Sequence, residues 1–343
     1  MFDRIKVNIY GESHAEAVGV ILSGIPEGKK IDLGNLQAFT DRRKSGGKFT
    51  TPRKEEDKLE ILSGIENGIT TGEDIKIEIK NRDIRPSDYE ITKPRPSHAD
   101  YAGYVKDGKI STGGGRFSGR LTAPLTAAGG IAVQLLNEKG INFHTYLSEL
   151  NGIKIQGYDT FSPEKAAVID ENALKIAEER LSEIKADLDS AGGVVECVIR
   201  GVPAGVGETL FNGLESRISY SVFAVPAVKA VEFGLGKEIS ALKGSEANDE
   251  FYYDGERVKT RTNHNGGING GISNGMPIVF RAAIKPTPSI GKEQNTIDLN
   301  RKGNCKLTIQ GRHDCCIALR AAVCIEAAAA LALLDAYIQE NII

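Results

Sequence analysis

Ile317-Ala318-Leu319-Arg320-Ala321-Ala322-Val323-Cys324-Ile325-Glu326-Ala327-Ala328-Ala329-Ala330-Leu331-Ala332-Leu333-Leu334 is the stretch that decides the fold. It is rich in Ala and Leu, strong helix formers, and short on β-branched residues. It is apolar almost all the way round, and a helix without a polar face must be buried on every side. A second run, Leu121 to Leu136, has the same character. Arg320 and Glu326 are costly in lipid, so the first run is not read as a membrane span.

Around these runs the pattern changes to strands. Ile5, Val7 and Ile9 alternate with polar residues, as do Ile75, Ile77 and Ile79, and Val18 to Leu22 is a short continuous apolar run. Asp32 is placed to cap a helix carrying Leu33, Leu36 and Phe39. Ser162-Pro163-Glu164 reads as a helix start. Leu174, Ala177, Leu181, Ile184 and Leu188 then recur at helical spacing, so 151–190 reads as a helical excursion. Two buried helices among many alternating strands predict an α+β fold. The expected form is a sandwich of antiparallel β-sheets, each with one wet face, enclosing central buried helices.

The chain also echoes itself. Glu12-Ser13 precedes Gly24-Ile25-Pro26-Glu27-Gly28, and Asp189-Ser190 precedes Gly201-Val202-Pro203-Ala204-Gly205 at the same spacing. Gly115-Arg116 leads to one apolar run and Gly311-Arg312 to the other. This order predicts a pseudo-twofold similarity between roughly 1–140 and 189–340, within a single domain spanning 1–343. No Pro- or Ser-rich linker divides the halves.

Composition is ordinary for a globular protein: 40% hydrophobic and 26% charged. A net charge of −3 argues against a general nucleic-acid binder. The start lacks a signal-peptide core. Five cysteines without metal-ligand spacing, two of them adjacent at 315 and 316, point to a reduced, cytoplasmic setting and to no metal site.

The chemistry-bearing residues sit in short Gly- or Pro-marked segments. Gly11-Glu12-Ser13-His14, Arg95-Pro96-Ser97-His98-Ala99-Asp100 and Gly311-Arg312-His313-Asp314 each join an imidazole to a hydroxyl or carboxylate. Imidazole exchanges protons near neutrality. Such groups delivered by separate loops suggest an enzyme. Asp314, near the start of an apolar helix, is equally suited to an N-cap. Gly113-Gly114-Gly115-Arg116-Phe117-Ser118-Gly119-Arg120 offers bare backbone and two guanidiniums ahead of the other apolar helix, a device for anions, although a tight turn with surface arginines is its plain reading. Gly266 to Gly275 is the most glycine-dense stretch. It suits close approach to a flat or phosphorylated ligand, or simply a tight loop. Arg42, Arg43, Lys44, Lys48, Arg53 and Lys54 form a cationic cluster in an otherwise acidic chain. His144 and His264 read as structural or surface residues.

Taken in order, these segments resemble the chorismate synthase family. The matching pieces are Gly-Glu-Ser-His at 11–14, Asp-Arg-Arg at 41–43, Thr-Thr-Pro-Arg-Lys-Glu at 50–55, Ile-Leu-Ser-Gly at 61–64 and Thr-Thr-Gly at 70–72. They continue with Arg-Pro-x-His-Ala-Asp at 95–100, Gly-Gly-Gly-Arg at 113–116, Pro-Ala-Val-Lys at 226–229 and Val-Glu-Phe-Gly at 231–234. Gly-Gly-Ile-Ser-Asn-Gly at 270–275, Lys-Pro-Thr at 285–287 and Gly-Arg-His-Asp at 311–314 complete the series, which covers almost the whole chain.

The resemblance implies a lyase that removes phosphate and a C6 proton from 5-enolpyruvylshikimate 3-phosphate to give chorismate. It also implies reduced FMN without net redox change, the shared fold, and a homotetramer. By the same resemblance, His14 would protonate or polarise the leaving phosphate, His98 would stabilise the reduced flavin, and Asp314 would act with flavin N5 in removing the proton. Arg116, Phe117, Ser118, Gly119, Pro226, Ala227, Gly270, Lys285, Pro286, Thr287, Pro288, Ser289 and Arg312 match cofactor-contacting segments. Arg42, Arg43, Lys48, Arg120 and Ser13 are the candidates for substrate anions. Some members reduce their own flavin with NADPH; with no added nucleotide motif here, an external flavin reductase is expected. Neither nucleic acid nor membrane is an expected partner.

The chain departs from the family's pattern at Ala15 and Ser97, where many members carry Gly, at Phe117 and Gly119, and at Cys315, where Pro is usual. Two rival readings are another flavin- or phosphate-using enzyme on this scaffold, and a non-catalytic anion-binding protein.

Overall fold

The computed structural model describes residues 3–51, 55–83, 90–309 and 313–343. Arg53, Lys54, Gly311 and Arg312 lie outside the described residues. The chain begins with β1 (Lys6–Gly11), β2 (Ala17–Ser23), α1 (Leu33–Asp41) and β3 (Glu60–Ser63), then the two-residue strands β4 (Ile65–Glu66) and β5 (Ile69–Thr70), and β6 (Ile75–Lys80). Next come α2 (Asp100–Asp107), α3 (Thr122–Asn137), β7 (Asn142–Leu150), β8 (Ile153–Lys154), α4 (Glu171–Ala186) and β9 (Gly193–Arg200). The last part holds α5 (Leu214–Val222), β10 (Val228–Phe233), the single turn α6 (Gly244–Ala247), and the hairpins β11 (Phe251–Asp254)/β12 (Arg257–Thr260) and β13 (Ile268–Asn269)/β14 (Ile272–Ser273). It ends with β15 (Ile278–Ile284), the hairpin β16 (Gln294–Asp298)/β17 (Gly303–Leu307), and α7 (Ala318–Gln339).

Two antiparallel sheets carry the architecture, in the orders β1-β2-β6-β3 and β10-β15-β9-β7-β8. In the first, Val18, Val20 and Leu22 pair with Ile79, Ile77 and Ile75, and all six are fully buried. The period-2 pattern therefore does what strand geometry requires, sending alternate side chains to one face. Val7 and Ile9 on β1 are only half-buried. In the second sheet Val195, Cys197 and Ile199 of β9 face inward beside Ile278, Phe280 and Ala282 of β15.

The two apolar runs are the central helices. α3 packs on β2 and β6, α7 packs on β7, β9 and α5, and the two helices pack on each other. Close approach depends on Gly129. A Cβ there would stand 2.3 Å from that of Ala327. α7 spans 22 residues, long and apolar enough to cross a membrane, yet 89% of its apolar window is buried within the protein. Near its C-terminal end, the buried Asp335 carboxylate accepts the backbone N–H groups of Asp3, Arg4 and Ile5 and pairs with Arg217. This fixes the first strand on the core helix.

One local reading holds and two are refined. Asp32 does cap α1, accepting the Asn35 N–H at 2.9 Å. Ser162-Pro163-Glu164 forms only a turn. α4 starts at Glu171, where Asp170 supplies the cap to Ala173. The start signal at 163 loses because an Asp able to satisfy a free N–H lies closer to the amphipathic run. Nor is the outer face of the five-stranded sheet fully wet. Tyr146, Tyr158, Val198 and Val279 form a small second cluster there, with Glu196 accepting from Tyr146 and from the Tyr158 N–H.

Candidate active site

Glycines 113 to 115 turn ahead of α3 with φ of 60°, 84° and 49°, values that favour residues without a Cβ. The turn is bare for a second reason. A Cβ on Gly113 would lie 2.1 Å from His14 Cε1, and one on Gly114 would lie 3.1 Å from His98 Cε1. Two imidazoles from remote loops thus rest on the same backbone. His14 Nδ1 lies 3.3 Å from the Thr112 carbonyl and 3.3 Å from Ser13 Oγ, while Ser13 is buried off the cavity wall within reach of the Thr112 and Gly113 carbonyls.

His98 is held by a carboxylate. Its Nδ1 is 2.6 Å from Asp100 Oδ1. Asp100 also accepts from Arg95 Nε at 2.7 Å and Nη2 at 2.8 Å. A carboxylate so placed can only accept, so Nδ1 carries the hydrogen and Nε2 is left for chemistry. Burial alone would raise the Asp100 pKa, but the Arg95 guanidinium and the His98 ring outweigh it and hold the carboxyl well below its ordinary range. The loop is strained to make this contact: Ser97 has φ +59°, the left-handed region where Gly costs nothing. Its carbonyl receives the Lys285 ammonium.

Asp314 does not cap α7. The helix begins after Ile317 with no side-chain cap. The Asp314 carboxylate instead takes Arg320 Nη1 at 3.0 and 3.2 Å and the Thr51 N–H at 2.9 Å. Arg320 Nε donates to the Arg43 carbonyl at 2.9 Å. The preceding strap is pinned here too. The Phe49 carbonyl accepts the Cys315 N–H at 3.1 Å, a bond that proline at 315 could not make.

His14, His98 and Asp314 all line one cavity of about 730 Å³. Arg43, Arg116, Arg120, Lys229, Lys285 and Arg320 bring cationic side chains to it. Phe117, Pro226, Ala227, Ile284 and Ile317 give it apolar wall. Ser118, Gly119, Thr287, Pro288 and Ser289 are also on its surface. Phe117 is accommodated by Gly103 of α2, whose missing Cβ would stand 2.8 Å from the ring. Burial and the nearby Lys229 push the Lys285 ammonium pKa down. Arg116 pairs with Asp107 at 2.7 Å and stacks over Phe117.

Other candidates fall elsewhere. Arg42 leaves the pocket to bind Glu326 with both arms, 3.0 and 2.8 Å, meeting the one carboxylate buried mid-way along α7. Lys48 reaches Ser182 of α4 at 3.1 Å. Pro286 is not on the cavity wall, although its neighbours are. Gly270 is far away. It forms the turn between β13 and β14 with φ 63°, beside Gly207, whose N–H reaches Glu340 just past the C-terminal end of α7. Asp314 is at the other end of that helix, roughly 30 Å off at 1.5 Å per residue. Asp57 and Arg320 are the residues that local reading passed over, while Asp100 stood in the His98 segment without a role of its own. Only Arg320 left a signal, a charge inside an apolar run.

Fold and pocket together define an acid–base enzyme for a small anionic substrate: imidazoles and a carboxylate converge on a concave site ringed by guanidinium and ammonium groups. The family model for chorismate synthase matches residues 5–338. Chorismate synthase from Lachnoclostridium phytofermentans is 46% identical over 96% of this chain and 92% of that protein. The one from Dehalococcoides mccartyi strain BAV1 is 43% identical over 98% and 96%. A crystal structure of chorismate synthase superposes with a TM-score of 0.74 at 25% identity, covering 98% of this chain and 92% of that one. The chain belongs to the chorismate synthase family, and its activity is that lyase activity, the last step of the shikimate pathway.

Proposed function

We propose that the cavity lined by His14, His98 and Asp314 is where 5-enolpyruvylshikimate 3-phosphate loses phosphate and its C6 proton. The convergence of those three side chains on one cavity carries this reading. The residues present fit reduced FMN. The apolar wall from Pro226, Ala227, Ile284 and Phe117 suits a flat ring, and Lys229, Lys285 and Arg116 suit its phosphate. Once bound, FMN in its reduced form supplies electron density transiently, with no net redox change.

The chain's own residues do the rest. His14, seated against Ser13 and Gly113, protonates or polarises the departing phosphate oxygen. Arg43 and Arg120 neutralise substrate anions, where charge grows as the C–O bond breaks. His98, oriented by Asp100, would stabilise the reduced cofactor by exchanging a proton with it. Asp314, fixed by Arg320 and Thr51, takes part in removing the C6 proton. Ser118, Gly119, Thr287, Pro288 and Ser289 complete the proposed cofactor contacts, with Pro286 and Arg312 retained from the resemblance. Gly270, at the far end of α7, is retained from the resemblance alone. Arg42 and Lys48 act at one remove, bracing the strap that carries Arg43.

Homotetrameric assembly, an external flavin reductase in place of self-reduction with NADPH, and a cytoplasmic location are part of the same reading. Five free thiols support a reducing compartment. The pseudo-repeat is supported in detail. β1-β2-β6 corresponds to β7-β9-β15. Gly28 N–H reaches the Thr70 carbonyl at 2.8 Å as Gly205 N–H reaches that of Ser273 at 2.9 Å. Thr70 and Ser273 hydroxyls donate, at 2.6 Å in both cases, to the carbonyls of Pro26 and Pro203. A single domain of two sheets sandwiching α3 and α7 is the simplest account.

The test is an anaerobic assay with dithionite-reduced FMN. Phosphate and chorismate are expected in equal amounts, and His14→Ala is expected to abolish both. Anion binding without turnover by the native chain would overturn the reading.

A further inference from the structure

Two of the pocket's guanidiniums share a single buried carboxylate. Asp57 Oδ2 meets Arg43 Nη2 at 2.5 Å, and Asp57 Oδ1 meets Arg120 Nη1. All three side chains are more than nine-tenths buried. Asp57 sits at φ +48°, and its carbonyl accepts from Gln37 of α1 at 3.0 Å, which pins that backbone. Arg120 Nε donates to Asn81 Oδ1 at 2.8 Å, and Asn81 in turn donates to the carbonyls of Glu12 and Ala15 on either side of the His14 loop.

A structural ion pair balances its charges, because an uncompensated buried charge is costly. By direct contact this cluster does not: two cations share one carboxylate, while Glu55 adds an electrostatic pull on Arg120. Arg43 Nε is moreover buried without a hydrogen-bond partner among the described residues. Both facts point to an anion supplied from outside, and all three residues are on the cavity wall.

We propose that Asp57 is a positioning residue that spaces the Arg43 and Arg120 guanidiniums as a fixed two-pronged receptor for an anionic group of the substrate. The inference rests on the reading above that these arginines receive substrate anions. Each carboxylate oxygen occupies one arm of one fork. The other terminal arms make only long contacts, Arg43 Nη1 to Thr122 Oγ1 at 3.5 Å and Arg120 Nη2 to the Lys80 carbonyl at 3.4 Å, and are held at a set separation where an anion can replace those contacts. Bidentate recognition needs that geometry more than it needs charge.

Charge and geometry predict opposite signs, which makes the idea testable. Asp57→Asn adds one net positive charge beside the pocket. If Asp57 only diluted the field, inorganic phosphate would bind the variant more tightly. If it positions the forks, phosphate binding measured by calorimetry on the FMN-free protein falls about tenfold or more, and KM for substrate rises more than kcat falls. Asp57→Glu keeps the charge and moves the carboxylate, so it is expected to weaken phosphate binding as well. Should Asp57→Asn fail to fold by thermal melting, Asp57→Glu carries the test. Unchanged or tighter phosphate binding in the folded variants would overturn the proposal. Arg43→Gln and Arg120→Gln separate the two levels. If they leave KM unchanged, the substrate-anion reading itself is wrong; if they raise KM while the Asp57 variants do not, only the positioning role is.

Discussion

Gly113→Ala isolates what the triple-glycine turn does. Residue 113 has φ 60° and ψ 17°, so any L-residue placed there pays about 1–2 kcal/mol for the left-handed conformation. The new Cβ would also stand 2.1 Å from His14 Cε1 and 2.4 Å from Nδ1. Carbon atoms rest at about 3.5 Å or more, so the ring must retreat by more than about 1 Å. Its contacts with Thr112 and Ser13 are already 3.3 Å long and will not survive that move. A misplacement of about 1 Å at a reacting group costs on the order of 100-fold in rate.

Gly28→Ala is the matched control. Its φ is +79°, and an added Cβ meets nothing within 4 Å among the described residues. Both variants therefore carry a similar backbone penalty and the same gain from a stiffer unfolded chain. Melting temperatures are expected to fall by a few degrees in each. Only Gly113→Ala is expected to lose kcat, by about 100-fold, in the anaerobic assay with reduced FMN. If Gly113→Ala keeps kcat within about threefold of Gly28→Ala, the turn does not seat His14 and the account of that imidazole fails.

Gly129→Ala sets two effects against each other: better helix propensity, worth about 1 kcal/mol, and overpacking against Ala327, costing about 1–3 kcal/mol. A net loss of thermal stability is expected, and a gain would show that α3 and α7 can move apart freely. Asp335→Asn should cost about 3–5 kcal/mol in urea unfolding, because Arg217 and three N-terminal N–H groups lose a buried anion. Asp100→Asn should lower kcat at least about tenfold and shift the His98 tautomer seen by nitrogen NMR; an unchanged spectrum would remove Asp100 from its role. The pKa values of Asp57 and Asp100 are depressed in the folded state, by flanking cations that outweigh burial. The unfolded chain therefore binds protons first as pH falls. Their stabilisation is complete above about pH 4 and is lost below it, towards the lower folded values. The urea midpoint should drop along that acid limb, and more gently in Asp57→Asn.

Much of this was written locally. Ala and Leu without a polar face required two buried helices, and alternation at 75–79 required a strand with one buried side. The short motifs around His14, His98 and Asp314 named the chemistry, because a residue's reactivity travels with it. Partnerships across the chain were not local. Arg42 reads as one more pocket cation until Glu326, fixed in the core helix, claims it. Asp314 fits a capping pattern until Arg320, six residues on, and Thr51, from a distant strap, take its oxygens. Gly270 has the composition of a ligand loop, yet it lies beyond the far end of α7. Asp57 left no mark in its neighbourhood. Periodicity and caps depend on neighbours a few residues apart, and sequence records those directly. An ion pair or a shared cavity depends on which strands pair and which helices cross, and only the packed chain brings those groups within a few ångströms.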